Sequence, residues 1–180
     1  MKIIFNNWLY TLKEVVAAVA DLFHELEPLF QKVAPTYDFS FMLSILAQEF
    51  SNLTHQELLI RTAEFLKFTY LRSLLESAES FVPVKKPIDE VWHAFIVQTR
   101  EYVRFCQALP GKIFLHHTTV HLEDLGKEQD KSTLVQNMLS WIPRYREYFG
   151  PFTEDAAQYW LMPSFLKEKF GLTLEQINAL

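Results

Sequence analysis

Apolar residues recur at three- and four-residue steps along most of this 180-residue chain, interrupted by prolines, glycines and short polar turns. Leu12, Val15, Val16, Val19, Leu22, Phe23 and Leu26 follow that spacing and predict a helix from Trp8 to about Val33. Pro28 is expected to end or kink it, and Ala34-Pro35 to close the segment. Asp38 or Ser40 starts a second helix carrying Phe41, Leu43, Ile45, Leu46 and Phe50. Thr54-His55-Gln56-Glu57 reads as a capping box, in which Thr54 and Glu57 satisfy each other's backbone N–H groups. The helix it opens is expected to reach about Ser77, with Leu58, Leu59, Ala63, Phe65, Leu66, Thr69, Tyr70 and Leu74 inward. Phe81 to Val84 then reads as an extended connection.

Pro87 suits a first helical turn, and Asp89 and Glu90 oppose the positive end of the helix dipole. No glycine or proline follows until Pro110-Gly111, so one continuous helix is predicted from Ile88 to about Gln107. Its core stripe is Trp92, Phe95, Thr99, Tyr102 and Cys106. His121 to Lys131 reads as a polar loop, and Ser132 or Thr133 begins a helix that ends at Gly150-Pro151, with Pro143 kinking or restarting it. Short helices are expected over Thr153 to Tyr159 and from Ser164 to Gly171. A second capping box, Thr173 to Gln176, opens a terminal one. Only Lys2 to Phe5 and Ile113 to Leu115 look strand-like. The pattern predicts an all-α fold, an irregular bundle of about six to eight helices in a single domain over residues 1–180.

Composition narrows the function classes. Hydrophobic residues make up 49% and aromatics 15%, enough to bury a core and to exclude a disordered chain. A net charge of -5 without a long basic run argues against nucleic acid as the principal partner. One cysteine excludes an internal disulfide and fits a reducing compartment. Asn6, Asn7, Lys13 and Glu14 interrupt the apolar start, and no stretch approaches the roughly 20 residues of a membrane span. The expectation is a cytoplasmic protein whose partner, protein or small molecule, is unspecified.

The chemistry-bearing residues collect between Pro87 and His117. Asp89 and His93 stand one helical turn apart at the border of the core stripe. On a continuous helix His93 and Cys106 would be about 20 Å apart along the axis, so Cys106 reads as a core thiol and not as a nucleophile paired with His93. Partners for His93 must come from Asp89 or from a segment that folds back, with His116, His117 and His121 as candidates and Ile113 to Leu115 as apolar anchorage. Neutral imidazoles with one carboxylate form a donor set suited to a transition ion such as zinc or iron. Three readings follow. The first is binding of a metal ion or small ligand through this Trp-His/His-His site. The second is an interaction module with a purely structural histidine network. The third is a metal-dependent or acid–base enzyme in which Asp89 orients His93. For the second, Trp141, Tyr145, Tyr148, Phe149, Phe152, Tyr159 and Trp160 would form a docking face if exposed and core if buried, and core is expected. His24 reads as structural and His55 as solvated.

The run Ile88 to Ile96, then Thr99-Arg100-Glu101-Tyr102, Phe105-Cys106, a turn and His116-His117 resembles the glycine-rich domain-containing protein-like family, in particular its short bacterial members. The likeness covers residues 87–117 and continues more loosely over 145–160, with Trp92, Thr99, Tyr102 and Cys106 in its core. It implies a helical domain and no established reaction. The chain departs from the family in having only 4 glycines, Phe95 where longer members carry a second histidine, and Gln98 where bacterial relatives often have one.

Overall fold

The computed structural model describes residues 2–75, 84–117 and 131–180, with residues 2–12, 131, 132 and 134 described by backbone alone. Its elements are α1 (Lys2–Val33), α2 (Ser40–Glu49), α3 (His55–Ser73), α4 (Lys86–Ile96), α5 (Thr99–Ala108), α6 (Lys131–Leu139), α7 (Trp141–Phe149), α8 (Glu154–Ala157), α9 (Leu161–Phe170) and α10 (Leu174–Asn178). No strand occurs among the described residues; an isolated antiparallel bridge joins Val84 to Trp160. The fold is all-α, as the periodicity predicts. The predicted loop at 121–130 and most of the connection at 81–84 lie outside the described residues.

The axle of the bundle is α3. It touches α1, α4, α7 and α8, and it buries residues around most of its circumference: Leu58, Thr62, Phe65, Leu66, Phe68, Thr69 and Leu71. A helix covered on several sides shows no single apolar stripe, which is why the sequence predicts only part of its inward set. Leu74, expected inward, is exposed. Both capping boxes form, Thr54 with Glu57 at the start of α3 and Thr173 with Gln176 at the start of α10.

At the N-terminus the strand-like reading of Lys2 to Phe5 and a helix end at Pro28 are corrected. Lys2 to Phe5 is helical, and α1 runs through Pro28 to Val33 without ending there. Leu22, Leu26, Phe30 and Val33 are buried on both sides of the proline, so packing against α2 and α3 outweighs the about 3 kcal/mol that an interior proline costs. Pro143 restarts a helix: Ser140 separates α6 from α7, and the proline sits in the first turn of α7.

Glu64 is the largest departure from the expected core. Its side chain is 2% exposed. It accepts hydrogen bonds from the Tyr145 hydroxyl (3.0 Å), the Trp160 indole N–H (2.8 Å) and Lys67 Nζ (2.7 Å). Burial of a lone carboxylate would be prohibitive, and here three donors converge on it. Burial, reinforced by the Glu64 carboxylate, pushes the Tyr145 phenol well above its ordinary range, so it stays protonated and donating. The network ties α3 to α7 and to the segment entering α9. Trp141, Tyr145, Phe152, Tyr159 and Trp160 are buried, and Tyr148 and Phe149 are half-buried against the core, so this aromatic group packs as core, as expected.

Glu64→Ala should therefore lower stability by about 3–5 kcal/mol in denaturant melts, because it strands three donors at once. A loss below about 1 kcal/mol would show that the network does not hold the two halves together.

Candidate metal centre

The predicted helix over 88–107 is two helices. α4 ends at Ile96, Val97 and Gln98 form a corner, and α5 begins at Thr99. The Gln98 N–H still donates to the Phe95 carbonyl (3.0 Å), and the Tyr102 N–H to the Gln98 carbonyl (2.9 Å), so the turn is tight and satisfied. Ile96, Val97 and Thr99 are β-branched, and that cluster of weak helix formers is the signal for the break. Trp92, Phe95, Tyr102 and Cys106 are buried as expected, whereas Thr99 at the corner is exposed.

The corner has a chemical consequence. In an unbroken helix Trp92 and Tyr102 would be about 15 Å apart along the axis. Folded back, the Trp92 indole N–H donates to the Tyr102 hydroxyl at 2.9 Å. That hydroxyl in turn donates to the Leu115 carbonyl at 2.6 Å. The Leu115 N–H reaches the Cys106 sulfur, which also lies against the Tyr102 hydroxyl. Both backbone groups of Leu115 are thus held by α5, and its side chain is buried.

The chain reaches Leu115 through a turn in which the Lys112 N–H donates to the Leu109 carbonyl at 2.9 Å, with Pro110 and Gly111 at its centre. A β-carbon on Gly111 would lie 1.7 Å from the Ser73 carbonyl oxygen, so glycine is required where the turn meets the end of α3. Beyond the turn Ile113 and Phe114 are exposed, so of the expected apolar anchorage only Leu115 turns inward; from there burial alternates, with His116 outward and His117 half-buried. This is the period of two of a stretched chain.

His117 therefore arrives over α4. Its Nε2 lies 2.8 Å from Asp89 Oδ1, its ring centroid is 4.1 Å from that of His93, and its edge packs on Trp92 at 4.7 Å. The His93 Nδ1–H donates to the Asp89 backbone carbonyl at 2.9 Å, with the Asp89 carboxylate 3.3 Å from the same nitrogen. A carbonyl only accepts, so this contact puts a proton on Nδ1, and Nε2 has no hydrogen-bond partner among the described residues. One ligand atom from each of Asp89, His93 and His117 falls within 4.8 Å of the others. His116 stands apart, exposed and packed edge-on against Phe114 at 4.7 Å. His121 lies outside the described residues. His24 is exposed, and exposed His55 pairs with Glu25 at 2.6 Å.

Cys106 is buried and does not join the donor group. Burial pushes its thiol up, with the Leu115 N–H and the Tyr102 hydroxyl pulling back more weakly. The role this supports is that of a protonated anchor for the returning segment. Arg104 is paired with Glu101 at 2.6 Å, and Arg100 is exposed.

Tyr102→Phe should leave the Trp92 indole and the Leu115 carbonyl without their shared partner, at a cost of about 1–3 kcal/mol. Cys106 should react slowly with a thiol reagent in the native wild type and faster in this variant. A variant of unchanged stability and unchanged labelling rate would show that the hydroxyl does not hold the segment.

The family model described as UCP032817-like matches residues 31–147, more than half of the chain, and spans Asp89, His93 and His117. Nothing among the curated proteins or the solved structures matches. The family is uncharacterised. With α2 to α5 and the histidine–aspartate cluster inside the matched span, the chain belongs to the UCP032817-like family.

Proposed function

We propose that Asp89, His93 and His117 bind a divalent transition-metal ion, with zinc or iron the classes best suited to two imidazoles and one carboxylate. One observation carries the reading: a ligand atom from each of Asp89, His93 and His117 lies within 4.8 Å of the other two, and the His93 Nδ1 is held by a backbone carbonyl. Metal-bound histidines commonly anchor the second ring nitrogen in this way. Two donors each about 2.1 Å from one ion can be no more than about 4.2 Å apart. A set spread over as much as 4.8 Å would need to close by about half an ångström, within reach of side chains that are 55% (His93) and 41% (Asp89) exposed. The sequence likeness to the glycine-rich domain-containing protein-like group agrees with the motif and adds no reaction.

A structural network is the second reading, favoured by the 2.8 Å contact that already joins His117 to Asp89. The two readings diverge on metal removal. Protein purified without a histidine tag should carry about one metal per chain by elemental analysis, and His93→Ala should abolish it. With free metal at a hundred times its dissociation constant, the ion should stabilise the wild type by about 2.7 kcal/mol, and that increment should vanish on chelation or in His93→Ala. A wild type that carries no metal, takes none up and melts identically with chelator would leave the structural network as the account.

A further inference from the structure

The three donors do not surround the point they share. Asp89 and His93 project from one face of α4, and their side chains are 41% and 55% exposed, whereas His117, 16% exposed, closes the inner side against Trp92. An ion on these ligands would be held from the protein side and open to water on the other. The charges are also unbalanced. One carboxylate cannot neutralise a dication, and Glu90, the neighbouring carboxylate on α4, lies 3.6 Å from both Arg61 Nη1 and Lys86 Nζ. Among the described residues, no fourth histidine, cysteine or carboxylate joins the group.

Resting on the metal reading above, we infer that the site is an exchangeable one: the bound ion keeps a solvent-facing position that takes a small monovalent anion, a carboxylate being the natural class. Three protein ligands plus a replaceable water are the pattern of reactive metal sites, whereas structural sites are closed by a fourth protein ligand. A dication bearing one carboxylate retains a single positive charge, which favours an anion over neutral water at the open position. The step is ligand exchange alone: water leaves the ion as the anion's donor atom binds, with no change of oxidation state.

Cobalt(II) tests this, because its visible absorption reports its ligand set. The full-length protein is loaded with cobalt, freed of excess metal by gel filtration and titrated with azide, with bound cobalt measured throughout. The inference predicts a saturable spectral change with one azide per cobalt, reversed in competition by acetate, and no cobalt spectrum in His93→Ala. Cobalt that stays bound with an unchanged spectrum under excess azide would overturn the open position while leaving the metal reading intact. A wild type that retains no cobalt would overturn both.

Discussion

The hydroxyl of Tyr102 is the point on which the arrangement of this protein's candidate site depends. It accepts from the Trp92 indole and donates to the Leu115 carbonyl, so one buried oxygen joins two helices and the segment that returns after the Pro110-Gly111 turn. Neither partner has water to fall back on, and each unpaired buried group costs about 1–3 kcal/mol. Because burial is the main influence holding the phenol far above its ordinary range, it remains a donor at any physiological pH. The corner at Val97–Gln98 makes the contact possible, and Gly111 lets the turn sit against Ser73. His117 reaches Asp89 only because these features act together.

Two polar clusters divide the labour of the molecule. Around Glu64 every donor is engaged and the charge is sealed inside, which fixes how α7 and the aromatic group pack on α3. Around Asp89 the groups are half-exposed, and among the described residues the Nε2 of His93 has no hydrogen-bond partner. A closed network specifies packing; an open one with a free donor atom is suited to receive a ligand.

Much of this was legible from residue spacing. The helical class, the two capping boxes, the inward set Trp92, Phe95, Tyr102 and Cys106, and the approach of a doublet histidine to His93 all follow from local periodicity and a turn signal. Spacing left the doublet unresolved, because Ile113, Phe114 and Leu115 are all apolar and only the packing of Leu115 on α5 decides that His117 turns to α4 and His116 outward. It missed the corner because β-branched residues weaken a helix without the plain stop of a proline, and it placed Thr99 inward for the same reason. Glu64 was missed because two of the three donors that license its burial lie some eighty and a hundred residues further along the chain. Its flanking by Ile60 and Phe68, one turn to either side, was the available sign. Pro28 stays helical for an equally non-local reason, the cover that α2 and α3 give to α1.

The central claim is that a returning segment delivers His117 to the Asp89–His93 pair and so creates a donor set. Ring-nitrogen NMR of isotope-labelled histidines, with and without one equivalent of zinc, reads it most directly among the six histidines of the chain. The account predicts that the metal-free protein shows His93 protonated on Nδ1, and that zinc moves the free nitrogen of His93 and one nitrogen of His117 together. His24, His55 and His116 should hold their positions. Zinc that perturbs none of the histidines, or that moves His116 or the surface pair while His93 and His117 stay fixed, would contradict it.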